Sequence, residues 1–165
     1  NAMVQGVKGG ITKHQPSQNE MSIYDSAMLY SKNETPLIVF GGKEYGTGSS
    51  RDWAAKGTRL LGVKAVIAES FERIHRSNLI GMGVLPLQFL NNFSHEKLKL
   101  IGNELFDIIG LEDNLGPKIN VLLKVQRANG DTENINLLCR IDTDGEAEYY
   151  LNGGILHYVL RQLAA

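Results

Sequence analysis

The chain has 165 residues, enough for one domain that buries about two thirds of the surface exposed by its unfolded form. Its formal net charge of -1 provides no overall positive field that would attract nucleic acid or a membrane surface. The single cysteine, Cys139, excludes an internal disulfide and cannot by itself hold a metal cluster. Since no long apolar run or signal peptide is present, we expect a cytoplasmic protein with no membrane contact.

The first half of the chain alternates between predicted helices and strands. Residues 3–18 are polar and glycine-rich without a regular period, which predicts an irregular lead-in, and Asn1-Ala2 before Met3 is expected to be an expression scar. Helices are predicted over residues 22–31, 50–60 and 71–81, and strands over residues 37–40, 63–68 and 84–89. This alternation indicates βαβ units with right-handed crossovers and a parallel sheet.

The second half has a different pattern, with strand character in residues 106–109, 120–126 and 135–141. The turn signal Ala-Asn-Gly-Asp at residues 128–131 joins the last two strands into a predicted antiparallel hairpin. A final helix is predicted over residues 153–163, with Asn152 available as its N-cap. The chain is therefore predicted to be an α/β protein, a layered β/β/α domain with a partly parallel sheet flanked by helices plus an antiparallel hairpin.

The loop after the predicted strand 37–40 has the features of a binding site. Gly46 and Gly48 permit a tight turn that exposes backbone N–H groups, and Ser49 or Ser50 can cap the helix that follows. A helix N-terminus attracts anions, and the guanidinium of Arg51 matches a carboxylate or a phosphate. Loops at the carboxyl ends of strands commonly bind ligands in open α/β sheets. We predict a small-anion site; the alternative is a glycine turn with a serine cap and an exposed arginine.

Spacing excludes three other motifs in this loop. A phosphate-binding P-loop requires Ser or Thr after Gly-Lys, but Glu44 follows Lys43. A dinucleotide fingerprint requires a third glycine where Arg51 stands. The nucleophile elbow Gly-x-Ser-x-Gly fails because Asp52 occupies the place of its last glycine.

The sequence Gly-Lys-Glu-Tyr-Gly-Thr-Gly-Ser-Ser-Arg-Asp-Trp at residues 42–53, together with Ala-Glu-Ser-Phe-Glu-Arg-Ile-His-Arg-Ser-Asn-Leu at residues 68–79, closely resembles the C-terminal swivel domain of the aconitase family. The match continues at residues 81–87, 140–143 and 149–156 and is similar to the bacterial aconitase A and cytosolic aconitase branch. The resemblance implies a swivelling β/β/α domain over residues 3–165, a truncated piece of a larger enzyme. The remaining aconitase domains of that polypeptide would be its partners.

The resemblance also implies a role for each loop residue. Ser49 would be the general base that removes a proton from the carbon beside a carboxylate, and Ser50 and Arg51 would bind a carboxylate of the tricarboxylate substrate. Gly46 and Gly48 would support the loop. The implied reaction is the reversible isomerisation of citrate and isocitrate through cis-aconitate, with this fragment inactive on its own.

Cofactor binding is expected elsewhere in the full-length enzyme. The resemblance implies a [4Fe-4S] cluster held by three cysteines of other domains, with no metal ligand in this chain. A further substrate arginine would come from an Arg-Gly-Thr-Phe segment ahead of Met3. The histidines are scattered, and we expect each to be structural or exposed rather than a metal ligand: His14, His75, His95 and His157.

Two alternative functions remain open at this stage. A methylcitrate-type dehydratase has a similar Gly-Ser-Ser-Arg-Asp-Trp loop, so the substrate preference is not fixed by these residues. RNA binding is known among cytosolic aconitases, and a local basic patch would consist of Arg51, Lys56, Arg59, Arg73 and Arg76. The overall charge does not favour RNA binding.

Overall fold

The computed structural model describes residues 3–48, 51–111 and 115–164. In chain order the strands and helices are β1 (Ile11–Lys13), β2 (Glu20–Ser22), α1 (Ile23–Lys32), β3 (Leu37–Gly41), α2 (Arg51–Leu60), β4 (Val63–Ala68), α3 (Arg73–Gly81), β5 (Leu85–Phe89), β6 (Leu105–Ile109), β7 (Asn120–Gln126), β8 (Thr132–Cys139), α4 (Asp144–Leu151) and α5 (Ile155–Ala164). A single 3₁₀ turn, His95–Leu98, lies between β5 and β6. No helix among the described residues is long and apolar enough to span a membrane.

The central sheet has six strands in the order β3-β4-β5-β8-β7-β6. β3, β4 and β5 are parallel to one another, and the remaining neighbours pair antiparallel. The predicted parallel half and the predicted β7–β8 hairpin are therefore both confirmed, as is the α/β class. β4 and β5 are buried along nearly their whole length because helices and strands cover the parallel half, which explains their continuous apolar sequences.

Two apolar clusters pack against the sheet. Because side chains alternate along a strand, Val66 and Ile67 point to opposite faces of β4 and belong to different clusters. Val66 packs with Ala55 of α2 and Leu79 of α3, whereas Ile67 belongs to the larger cluster that includes Leu123. Burying each such aliphatic side chain stabilises the fold by about 1.5–3 kcal/mol. The two clusters hold α2 and α3 against β4, which positions both helix N-termini at the carboxyl edge of the sheet.

Two expectations about the ends of the chain are wrong. The lead-in is not irregular throughout, because β1 pairs antiparallel with β2, with Ile11 opposite Ser22. Strands of three residues are too short to show an alternating pattern. Ser22 caps α1, accepting a hydrogen bond from Asp25 N at 3.0 Å.

The second error concerns Asn152, which is the C-cap of α4 and not the N-cap of the final helix. Its N–H donates to the carbonyl of Glu148 at 3.1 Å. Gly153 and Gly154, with φ of +83° and +127°, separate α4 from α5. The helix α4 itself was not predicted, although Thr143 and Glu146 stand at the spacing of a capping box, and Thr143 Oγ1 accepts from Glu146 N at 3.2 Å.

Candidate active site

Two loops meet at the carboxyl end of the parallel strands. Residues 42–48 leave β3 toward α2, and residues 69–72 leave β4 toward α3. Tyr45 N donates to Ser70 O at 2.9 Å, and Glu72 N donates to Tyr45 O at 3.0 Å. The parallel pairing of β3 and β4 thus continues beyond the strand ends and fixes the two loops relative to each other.

Gly46 lies where the first loop passes against α3. Its φ is +91°, a left-handed conformation that glycine adopts without steric cost. A Cβ added there would lie 2.2 Å from Cγ of His75, so a side chain has no space. At Gly48, φ is +157° and an added Cβ would meet no described atom within 4 Å. The close approach of the loop to α3 therefore depends on glycine at position 46.

Arg51, the first residue of α2, forms an ion pair across to the second loop. Its Nε lies 3.0 Å from Glu72 Oε2, close enough for charge attraction but without the alignment of a hydrogen bond. Among the described residues, none forms a hydrogen bond with either Nη group of Arg51. Glu72 also caps α3, because its Oε2 accepts from His75 N at 2.8 Å. This bond, assisted by the charge of Arg51, lowers the pKa of Glu72, so Glu72 is ionised at neutral pH.

His75 connects α3 to the backbone of α2. Its side chain is buried, and Nδ1 lies 3.2 Å from the carbonyl oxygen of Arg51. Since a carbonyl only accepts, this geometry assigns the proton to Nδ1. Burial lowers the pKa of His75, so the ring is neutral at pH 7 and its Nε2 carries a lone pair. The ring also packs against Tyr45, with the two centroids 5.5 Å apart.

The two serines of the predicted site, Ser49 and Ser50, lie outside the described residues. Of the predicted loop residues, the structure describes Gly46, Gly48 and Arg51. It adds Glu72 and His75, neither of which was predicted to contact Arg51.

A cleft of about 320 Å³ opens beside the first loop at the carboxyl ends of β4 and β5. Its lining residues are Lys43, Glu69, Ser70, Gln88, Phe89, Leu90, Asn91, Asn92 and Phe93. A second cleft of about 260 Å³, bounded by residues between 99 and 129, lies in the β6–β8 half of the sheet. Because both loops line the first cleft and neither lines the second, the first is the one associated with the site.

Comparison with known proteins identifies the family. The profile of the aconitase C-terminal domain matches residues 1–92, more than half of the chain. The chain belongs to the aconitase C-terminal domain family. Aconitate hydratase A from Legionella pneumophila is 58% identical over 165 residues, which is 100% of this chain and 18% of the relative. The Escherichia coli protein of the same name is 57% identical over 163 residues, 99% of this chain and 18% of the relative.

The aconitase C-terminal domain here therefore spans about 18% of the length of these curated relatives. Among solved structures, 3-isopropylmalate dehydratase from Methanocaldococcus jannaschii covers 91% of this chain and 84% of its own, with 20% identity and a TM-score of 0.49. That likeness is too weak to bear on function.

The described part of this aconitase domain does not fit an iron-sulfur cluster. Within residues 3–48, 51–111 and 115–164, no three His, Cys, Asp or Glu side chains come together as a metal site. Cys139 is fully buried in β8, and burial raises the pKa of its thiol, which disfavours the thiolate that a cluster needs. No chemical step is assigned to a cluster in this chain.

Two of the five basic residues of the predicted RNA-binding patch are paired with carboxylates of the domain itself. Arg76 is buried and bonded to Glu146, and Arg51 is paired with Glu72. Lys56 is exposed, with its Nζ 5.0 Å from the ring centroid of Trp53.

Proposed function

We propose that this chain is the C-terminal domain of an aconitate hydratase, a hydro-lyase that interconverts citrate and isocitrate through cis-aconitate. The observation that supports this most is identity of 58% with aconitate hydratase A along the whole chain, which includes the Gly-Ser-Ser-Arg loop between β3 and α2. The active unit would be the full-length polypeptide. Its other domains would hold the [4Fe-4S] cluster and complete the substrate pocket.

Arg51 would bind a substrate carboxylate. A guanidinium has two edges that suit a carboxylate, one formed by Nε and an Nη group and the other by the two Nη groups. Glu72 occupies the Nε side at 3.0 Å, so the edge between the Nη groups is the one available to substrate. The N-terminus of α2 adds partial positive charge to the same place. Ser50, the residue before Arg51, would contribute a hydroxyl donor to this carboxylate.

Ser49 would act as the general base. In the proposed step, the Oγ alkoxide takes the proton from the carbon beside a carboxylate and becomes a hydroxyl, and the electron pair of the broken C–H bond delocalises into that carboxylate. A serine hydroxyl is a weak base in water, so the alkoxide needs stabilisation by preorganised donors. The N–H groups of Gly46 and Gly48 and the charge of Arg51 would supply this stabilisation, since Thr47 N already donates to Glu44 O at 3.1 Å.

The test is the kinetics of Ser49→Ala in the full-length enzyme, followed by the absorbance of cis-aconitate. Loss of a general base should lower kcat by about a hundredfold to ten-thousandfold and leave KM near the parent value. If Ser49 only caps α2, the variant should instead lose about 0.5–2 kcal/mol of folding stability and keep its kcat. A kcat within a few fold of the parent would end the assignment.

Arg51→Lys is the matched comparison. It should raise KM as well as lower kcat, because a point charge cannot reproduce a two-pronged carboxylate contact. The same assays with 2-methylcitrate in place of citrate distinguish the aconitase reaction from a methylcitrate-type dehydration.

A further inference from the structure

The first turn of α3 holds Arg51 at two points. Glu72 contacts the side chain of Arg51, with Oε2 3.0 Å from Nε. His75 contacts the backbone of the same residue, with Nδ1 3.2 Å from the carbonyl oxygen. Both contacts come from residues just after β4, and both reach the residue that opens α2 after β3.

Glu72 and His75 are themselves held in place. The carboxylate of Glu72 accepts from His75 N at 2.8 Å, so it is fixed to the N-terminus of α3 rather than free to rotate. Glu72 N donates to Tyr45 O at 3.0 Å, which ties its backbone to the site loop. The ring of His75 lies against Gly46, where a Cβ would approach its Cγ to 2.2 Å. Arg51 therefore contacts a rigid pair and not two mobile surface side chains.

We propose that Glu72 and His75 are positioning residues that orient Arg51 toward the carboxylate of the substrate. Glu72 restricts the long arginine side chain and occupies its Nε side, which directs the incoming carboxylate to the edge between the Nη groups. His75 fixes the carbonyl of Arg51 and with it the first turn of α2. This role rests on the proposed function of Arg51 as a carboxylate ligand.

A simpler role for Glu72 would be that of a helix cap alone, and Glu72→Asp separates the two. Aspartate keeps the negative charge and is a favoured N-cap, but its side chain is shorter by one carbon–carbon bond of about 1.5 Å. It can cap α3 without reaching Arg51 Nε. In the full-length enzyme we expect KM for citrate to rise about ten- to a hundredfold, the range for loss of a hydrogen bond between Arg51 and the charged substrate carboxylate. The thermal unfolding midpoint should stay close to the parent.

Two further variants complete the comparison. Ser22→Ala removes the cap of α1, where Ser22 Oγ accepts from Asp25 N at 3.0 Å, far along the chain from the site. It should lower the unfolding midpoint and leave KM unchanged, which shows what loss of a cap alone does. Glu72→Gln keeps the length of the side chain but removes its charge, and it should raise KM less than Glu72→Asp. An unchanged KM in Glu72→Asp, or in Glu72→Gln if the aspartate variant does not fold, overturns the positioning role.

His75 is tested by comparing His75→Asn with His75→Leu. The side-chain amide of asparagine can place a donor near the position of Nδ1, whereas leucine has none. We expect His75→Asn to retain several-fold more kcat/KM than His75→Leu. Equal kcat/KM in the two variants would overturn the role of this hydrogen bond.

Arg51→Ala distinguishes failure of this proposal from failure of the proposed function. If Glu72 acts through Arg51, Glu72→Asp should reduce kcat/KM no further in the Arg51→Ala background. A full additional loss in that background would overturn the route through Arg51. If Arg51→Ala raises KM but Glu72→Asp does not, only the positioning role fails. If Arg51→Ala leaves KM unchanged, the carboxylate contact of Arg51 is itself wrong.

Discussion

At the scale of single residues, His75 is a buried titratable side chain of the site. It is 2% exposed and lies among Tyr45, Glu72 and Arg51. Burial lowers its pKa, and the charge of Arg51 acts in the same direction. The charge of Glu72 and the bond to the carbonyl of Arg51 oppose this without reversing it. His75 is therefore harder to protonate in the folded chain than in the unfolded chain.

This difference predicts a loss of stability in mild acid. Unfolded His75 takes up a proton near its ordinary pKa of 6.5, whereas the folded chain takes it up only at lower pH. Between those two values the unfolded state binds more protons, so the free energy of unfolding falls as pH falls below 6.5. Below the folded pKa of His75 the effect levels off. The stability contributed by ionised Glu72 depends on a different pH range. It is fully present above pH 4.5 and is lost as the pH falls through the lowered pKa of that carboxyl.

Urea unfolding at about pH 7 and about pH 5.5 measures the effect. His75→Asn should show a smaller decrease between the two pH values than the parent. His157→Asn is the control for loss of one imidazole, since His157 is exposed on α5, and it should keep the decrease of the parent. Equal decreases in the parent and in His75→Asn would contradict the prediction.

At the scale of elements, Arg76 joins α3 to α4. Its Nη1 donates to Glu146 Oε2 and its Nη2 to Glu146 Oε1, each at 2.8 Å, and Nη1 also donates to Arg140 O at 2.7 Å. Burial alone would lower the pKa of Arg76, but the hydrogen bonds and charge of Glu146 raise it above its ordinary value. Glu146 also accepts from Asp142 N at 2.8 Å, so the start of α4 is tied into the same network.

Replacing Arg76 should therefore destabilise the domain strongly. Arg76→Met keeps much of the apolar stem but leaves Glu146, whose side chain is 16% exposed, without its cation. Removing one partner of such a buried pair costs about 3 kcal/mol. Arg140→Met is the matched control, because Arg140 Nη2 pairs with Asp142 Oδ2 at 3.3 Å but its side chain is 25% exposed. This variant should cost about 1 kcal/mol or less. Urea unfolding of both variants provides the comparison, and similar losses would contradict the network's role.

Strand and helix bounds were predicted most accurately where a single local sequence pattern was long enough to define the element. β4 and β7 have the predicted bounds, since six or seven residues of apolar run or alternation define a strand. β1 was too short to show its pattern. α4 has little amphipathic character, and its attachment depends on Arg76, far away in the chain.

The same limit applies to the candidate site. The glycine loop and the start of α2 were recognisable locally, because glycines and a helix start are adjacent in sequence. The pairing of Arg51 with Glu72 was not, because the parallel pairing of β3 and β4 brings these residues together. Neither a glutamate before a helix nor a lone histidine indicates which arginine it contacts. The roles of Ser49 and Ser50 remain predictions, since both lie outside the described residues.

At the scale of the whole molecule, this chain presents surfaces that suit a domain within a longer polypeptide. It spans about 18% of the length of the aconitate hydratase A relatives. No residue of α5 is buried, and several of its apolar side chains are exposed: Ile155, Leu156, Val159, Leu160 and Leu163. The substrate pocket would be completed by residues that this chain does not supply.

We therefore expect the 165-residue chain to fold without iron and to be catalytically inactive alone. Folding should not need a cluster, because the core consists of apolar side chains and the single cysteine is buried within it. Turnover should be absent, because the proposed base Ser49 and the proposed carboxylate ligand Arg51 cannot supply the acid that assists departure of the hydroxyl group. Three measurements on the purified chain test this prediction: circular dichroism for folding, iron and sulfide analysis for the cluster, and the cis-aconitate assay for turnover. The full-length enzyme is the positive control. Stoichiometric iron and sulfide in the purified chain, or turnover above that of a Ser49→Ala chain, would contradict this prediction.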